Sequence, residues 1–253
     1  MDDSIKKRLT ELSQRSYDNN IYTFTDFLTL SQLSEYFDCE SSLSFAHPTL
    51  FGGNDLCERK MIRFGSSEEF GYEAPFPIKA VIIKPLMQKF SDDLSHRDFL
   101  GALMNLGIRR ETLGDIFVRE NVACLFCLDS ICDYIVENLT RVKHTSVTLS
   151  VADTDSPLLS EITAPTLEGK TVCVVSCRVD AVISKVYNLS RNASLELFPV
   201  SYVSINGRIC TDNSKLIKEG DIVSVRGYGR FFLTKILGIN KKGKQNVLVS
   251  IYK

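Results

Sequence analysis

Tyr202-Val203-Ser204-Ile205-Asn206-Gly207-Arg208-Ile209-Cys210 reads as a β-hairpin, two alternating runs that meet at an Asn-Gly pair. The pair suits a two-residue turn, because both central positions need positive φ, which Gly adopts freely and Asn tolerates. Upstream, residues 178–187 place Val179, Val182, Ile183 and Val186 at helical spacing. Ser190 stands where an N-cap belongs, for a second helix from Arg191 through residue 197, and Pro199 ends it. Downstream, Ile222-Val223-Ser224-Val225 is a β run that enters a turn in which Arg226 and Arg230 flank Gly227, Tyr228 and Gly229. With the β-rich run at 171–177, these pieces make a small module of two helices and a sheet over residues 171–253.

The positive charge sits in this module. Residues 178–253 hold 13 Lys and Arg against 5 Asp and Glu, a net of +8. Residues 1–177 hold 17 against 26, a net of −9, so the −1 of the whole chain conceals a strong division. Lys and Arg release counterions from phosphates, so a basic module on an acidic body suggests a polyanion ligand; the alternative is an incidental charge split between two domains. A composition with 44% hydrophobic and 24% charged residues is globular and excludes a histone-like polycation or a disordered acidic chain. No apolar run approaches the roughly 20 residues of a membrane helix. No apolar segment follows the polar start Met1-Asp2-Asp3-Ser4 as in a secretory signal. Eight cysteines in 253 residues are not a disulfide scaffold. The expectation is a cytoplasmic protein with reduced thiols and no membrane partner.

The body reads as two further domains of an α+β chain. Helical spacing covers residues 4–19 and 26–37, with Thr25 as the N-cap of the second helix. Strand-like pieces at 43–46 and 60–64 flank the loop Phe51-Gly52-Gly53-Asn54-Asp55, giving a small N-terminal α/β domain over residues 1–75. Residues 76–165 run strand 78–83, helix 96–106 between Ser95 and Gly107, strands 113–118 and 122–128, helix 130–139, strand 146–151. That β-α-β-β-α-β order is the split βαβ, or ferredoxin-like, arrangement. RNA recognition motifs share it, but they stack bases on exposed aromatics of the central strands. Val122-Ala123-Cys124-Leu125-Phe126-Cys127 offers one aromatic, which makes RNA binding through this sheet doubtful. The polar stretch 152–170, with Pro157, Pro165 and Gly169, reads as a linker.

Catalytic and metal signatures are weak. Cys124-x-x-Cys127 lacks the second ligand pair a structural zinc site needs, and it lies on an apolar β run where buried thiols are ordinary. His96-Arg97-Asp98 opens a helix, where consecutive side chains diverge. Phosphate-binding glycine loops are absent from the sequence. No metal, cofactor or catalytic residue is therefore assigned.

The series Arg178-x-Asp180, Ser190-Arg191-x-Ala193, Val203-x-Ile205-Asn206-Gly207, Ser214, Gly220-Asp221-x-Val223 and Arg226-Gly227 resembles the S4 RNA-binding domain. In the body, Phe51-Gly52-Gly53 with Glu58-Arg59, His96 through Leu103, and Gly107-Ile108-Arg109-Arg110 with Gly114-Asp115-Ile116 are similar to the YlmH-type family of bacteria. The resemblance spans nearly the whole chain. It implies an α/β body followed by an S4 domain, acting on structured RNA (rRNA or tRNA) at the large ribosomal subunit. The role it implies is noncatalytic, in quality control of subunits still carrying peptidyl-tRNA, by a monomer. The alternative is an RNA-modifying enzyme that uses the S4 domain as its substrate grip.

Carried onto this sequence, the RNA-contact set is Arg178, Lys185, Ser190, Arg191, Asn206, Arg208, Arg226, Tyr228 and Arg230. Arg191, in the first turn of a capped helix, is the expected phosphate ligand. Arg178 and Asp180 either contact RNA or brace the helix as an ion pair. Tyr228 either stacks on a base or packs. Lys241, Lys242 and Lys244 surround Gly243 as a solvated turn. This chain departs from the S4 pattern in having Asn192 and Glu196 on the second helix and Phe198-Pro199-Val200 before the hairpin, which leaves more of the RNA contact to Arg191 and the 226–230 turn. The charge division predicts that residues 171–253 alone bind structured RNA and residues 1–165 bind it weakly; equal affinities in filter binding across several salt concentrations would refute this.

Overall fold

A computed structural model describes residues 3–153, 156–240 and 243–252; Lys241 and Lys242, expected on the solvated basic turn, lie outside the described residues. The N-terminal part runs α1 (Asp3–Asn19), β1 (Thr23–Phe24), α2 (Leu30–Leu43), β2 (Thr49–Phe51), β3 (Met61–Phe64) and α3 (Ser67–Phe70). Its three strands form an antiparallel sheet in the order β1-β3-β2. Leu9 of α1 and Leu33 and Tyr36 of α2 bury against Ile62 and Phe64 of β3.

Two local expectations are corrected here. Helix α2 begins at Leu30, not at residue 26, because Thr29 and Gln32 close a reciprocal capping box. Thr25, expected as the cap, instead accepts the Ile62 N–H at 2.9 Å through its hydroxyl. Phe27 is thereby freed from the helix and buries in a different core. Residues 43–46 are the end of α2 and a 3₁₀ turn, and the strand lies at β2.

The central elements are β4 (Ile78–Pro85), α4 (His96–Asn105), β5 (Leu113–Arg119), β6 (Val122–Leu128), α5 (Asp129–Asn138), β7 (Arg141–Val142), β8 (Thr145–Ala152) and α6 (Pro157–Thr163). Their five strands pair antiparallel in the order β5-β6-β4-β8-β7. Strand alternation separates two cores. Val81, Ile83, Leu125 and Cys127 face Phe99 and Leu103 of α4 and Cys132 and Ile135 of α5. Ala80, Ile82, Cys124 and Phe126 face the other way, and that face is not open. Phe27, Cys57 and Met61 cover it from the N-terminal part, and Leu159 and Ile162 cover it from α6. Residues 152–170 are therefore no linker: they contain a packed helix and the start of the next strand. The shared core also joins residues 1–75 to the five-stranded sheet, and the chain divides into two compact units, 1–164 and 165–253.

The motifs around Gly53, Arg59, Arg110 and Asp115 meet at this joint. Arg59 donates from Nε to the Leu113 carbonyl at 3.0 Å and from Nη2 to the carbonyls of Phe27 at 2.9 Å and Arg110 at 3.3 Å. Arg110 Nη1 reaches the same Leu113 carbonyl at 2.7 Å. An irregularity in the β5–β6 ladder between Leu113 and Ile116 lets Asp115 accept the backbone N–H groups of Glu58 and Arg59. Burial pushes the Asp115 carboxyl pKa up, against the pull of those donors and of Arg59. Gly53, at φ +102°, lies flat on Phe126, and a Cβ there would stand 2.3 Å from the ring.

The second unit comprises β9 (Leu167–Val174), α7 (Val179–Val186), α8 (Arg191–Leu195), β10 (Val203–Ile205), β11 (Arg208–Ile209), β12 (Ile222–Val225), β13 (Gly229–Ile239) and β14 (Gln245–Tyr252). They form one antiparallel sheet in the order β11-β10-β12-β13-β14-β9. Val179, Val182, Ile183 and Val186 of α7 bury against Val203, Val223, Phe231 and Val247. Strand β9 pairs with β14 from Leu167 against Tyr252 to Val174 against Gln245, so the unit begins before residue 171. Helix α8 has five residues and stops short of Leu197, which is buried together with Phe198. Moving the division to residue 165 leaves the charges at −9 and +8.

Gly53→Ala is expected to destabilise the first unit by about 2 kcal/mol or more, from overpacking on Phe126 and a left-handed backbone. Gly71, also at positive φ but with nothing within 4 Å of a built Cβ, should cost about 1 kcal/mol as Ala, from the backbone alone. Urea unfolding of both variants checks this; equal losses would mean that Gly53 is not seated on the ring.

Candidate nucleic-acid interface

The Asn-Gly hairpin forms as read, with Asn206 at φ +52° and Gly207 at φ +79°. Asn206 spends its side chain on this turn. Nδ2 donates to Asp221 Oδ1 at 2.8 Å, and Oδ1 accepts the Ile222 N–H at 2.9 Å. Arg208 follows it, exposed, on β11. Both lie at the end of β12 remote from Arg226, since Ile205 pairs with Val223 and Val203 with Val225.

At the other end of β12, Arg226-Gly227-Tyr228 tips the β12–β13 hairpin. Gly227 and Gly229 take φ +85° and +110° there, which leaves backbone bare between two guanidiniums. The Val203–Val225 pairing brings Tyr202 beside Arg226, whose guanidinium lies 5.1 Å from that ring's centroid. Arg230 lies 4.6 Å over Tyr252 in the same way. Stacking occupies the π face of a guanidinium and leaves the N–H groups of Arg226 in the plane, where a phosphate binds bidentately.

Tyr228 is half exposed, and its ring sits 5.6 Å from that of Tyr187, the residue that ends α7. The Tyr187 hydroxyl is buried without a hydrogen-bond partner among the described residues, and burial pushes its pKa up. Four residues on, Arg191 opens α8, exposed, behind Ser190, whose hydroxyl accepts the Ala193 N–H at 3.1 Å. With five residues, α8 supplies little of a helix dipole, so the Arg191 guanidinium itself is what a phosphate would meet. Lys185 is exposed on the last turn of α7. The Tyr187–Tyr228 contact thus ties the end of α7, four residues before Arg191, to the 226–230 tip.

Arg178 is placed elsewhere, at the N-terminus of α7. Its Nε and Nη2 meet the two oxygens of Asp180 at 3.0 and 2.9 Å, and Nη2 reaches Asn213 at 3.3 Å. Asp180 is buried and also caps Ala181 N–H at 2.8 Å. The pair braces the helix start. Three other carboxylates of the unit are similarly turned onto local donors: Asp212 onto Ser214, Asp221 onto Lys218 N–H, Glu219 onto Ile236 N–H. This leaves the cations to set the surface field.

Sequence reasoning missed Tyr187, Tyr202 and Tyr252 as partners of this tip. Only strand register brings Tyr202 to Arg226, and no local spacing carries that information. In the first unit, Cys124 and Cys127 point to opposite faces of β6 and bury in separate cores. Burial pushes the Cys124 thiol up to about 12. No three His, Cys, Asp or Glu side chains converge as a metal site among the described residues. Asp98 serves the start of α4, accepting the Ser95 N–H at 2.8 Å and pairing with Lys143 at 2.9 Å.

A family model described as "Putative RNA-binding domain in YlmH" matches residues 73–156. The "Ribosome-associated protein quality control protein P2" of Bacillus subtilis (strain 168) is 33% identical over 198 residues, covering 78% of this chain and 74% of that protein. Among solved structures, "Cell division protein ylmH from Streptococcus pneumoniae" superposes with a TM-score of 0.46 at 18% identity, over 60% of this chain and 91% of that one. Identity of this extent, across about three-quarters of both chains and together with a YlmH domain at its centre, means that the chain belongs to the YlmH family.

Proposed function

We propose that this protein is a noncatalytic RNA-binding factor of the large ribosomal subunit. It acts in the cytoplasm as a monomer, in quality control of stalled complexes that retain peptidyl-tRNA. Residues 165–253 are its S4-type grip on structured rRNA or tRNA, carried by an acidic body whose centre is ferredoxin-like. The observation that carries the reading is the 226–230 tip: two arginines on aromatic faces, glycines between them, and Tyr228 against Tyr187, the end of the helix that precedes Arg191. The names of the Bacillus relative and of the matched domain support the ribosomal and RNA parts of the reading. The closed second face of the central sheet supports assigning base stacking to the C-terminal unit instead.

Arg191→Ala and Arg226→Ala are each expected to weaken RNA binding about tenfold, the loss of one charge-assisted hydrogen bond of about 1.5–3 kcal/mol. Arg191→Lys should recover part of this, since Lys lacks the planar fork. Lys244→Ala, on an open turn, should cost at most a few-fold and only at low salt. Affinities for rRNA at two salt concentrations, with circular dichroism to confirm folding, provide the measurement. Parent-like binding by both arginine variants would overturn the reading.

A further inference from the structure

On the helix-covered side of the five-stranded sheet, α4 and the segment linking α5 to β7 border a groove of about 480 Å³. Arg97, Asn105, Asn138, Arg141 and Lys143 line it, with Gly101 among them on α4. Lys143 is neutralised by Asp98 at 2.9 Å. Arg97 and Arg141 are exposed and have no ion-pair partner among the described residues. Two unpaired guanidiniums on one groove are conspicuous on a body of net charge −9. They repel each other and attract an anion from either wall.

Gly101 is the independent observation. Glycine in a helix interior is unfavourable relative to Ala, so it ordinarily has a packing reason there. Gly53 and Gly114 have one, because a Cβ on either would run into aromatic rings. At Gly101 a Cβ would meet nothing within 4 Å. The fold does not require this glycine. Its effect is to leave helix backbone bare between the basic walls, where a second chain can approach closely. No aromatic side chain lines the groove, so it suits phosphates and riboses rather than stacked bases.

We propose that this groove holds the sugar–phosphate backbone of RNA, as a second contact that tethers the body while the C-terminal unit grips. The inference rests on the RNA-binding reading above and places the contact of residues 73–156 on the helix side of the sheet. The opposite face, covered by Phe27, Met61, Leu159 and Ile162, is unavailable. Arg97 and Arg141 each offer a phosphate a planar fork, and the bare turn at Gly101 admits a ribose between them. Base sequence is not read there, so the contact adds affinity without specificity.

The test uses the full chain and, as probe, rRNA extracted from large ribosomal subunits, at two salt concentrations. Gly101→Gln should raise the thermal unfolding midpoint, because it replaces a helix glycine in open space, and yet lower RNA affinity about tenfold by filling the groove. Arg97→Ala with Arg141→Ala should lower affinity at least as much and reduce the salt slope by about 2. Lys6→Ala with Arg15→Ala removes the same charge from α1 and should cost less than about threefold. A more stable Gly101→Gln protein that binds like the parent, or an arginine pair no worse than the α1 pair, overturns the proposal. If that happens while Arg226→Ala still binds weakly, the RNA-binding reading survives; if Arg226→Ala also binds like the parent, that reading falls too. Unchanged affinity for free rRNA with lost sedimentation on intact subunits would mean that the groove takes a ribosomal protein, and would likewise overturn it.

Discussion

A guanidinium taken out of water must find acceptors, because it keeps its charge at any ordinary pH. Burial pushes the Arg59 pKa down to about 10, still well above neutrality, and the first unit is arranged around satisfying it. Its acceptors come from three places in the chain: Phe27 ahead of α2, and Arg110 and Leu113 at the entry to β5. Asp115 returns the favour to the loop that carries Arg59, by accepting that loop's N–H groups. Removing the Arg59 side chain would take its donor from the Phe27 carbonyl and leave the Leu113 carbonyl to Arg110 alone, in a low-dielectric site. Gly53 and Gly114 exist to let this loop and strand close on Phe126.

That closure decides how the two units divide their labour. In an open split βαβ sheet one face is free to stack bases; here the free face has become core. The central sheet is thus a scaffold with its helices outermost, and the polyanion contact proposed above would fall to surfaces where arginines are unpaired. In the second unit four of the six carboxylates accept hydrogen bonds from turns, caps or strand backbone, and the exposed cations outnumber those that remain. The first unit spends two of its arginines, Arg59 and Arg110, inward on carbonyls.

Much of this was legible locally. The Asn206-Gly207 turn, the apolar stripe of α7, the Ser190 cap and the β-α-β-β-α-β order follow from period and turn chemistry, which neighbours along the chain determine. The errors arose where distant residues decide. Phe27 fits the helical spacing of residues 26–37 yet serves another core, and the capping signal is Gln32, three residues after Thr29. Pro157 marks a polar, linker-like stretch by composition, whereas in the fold it stands at the first turn of a helix whose Leu159 and Ile162 bury. Leu167-Glu168-Gly169 has no strand pattern of its own and becomes a strand only by pairing with residues 250–252. The aromatic partners of Arg226 and Arg230 were invisible for the same reason.

The pairing of β9 with β14 has a consequence during synthesis. The first strand of the second unit finds its neighbour only in residues 245–252, some seventy positions later along the chain. While the chain is still growing, β9 waits as an unpaired edge next to a finished first unit, and long-range closure of this kind is slow to search. The six-stranded sheet can close only once residues 245–252 have emerged, so β9 is the first of its strands to be made and the last to be paired.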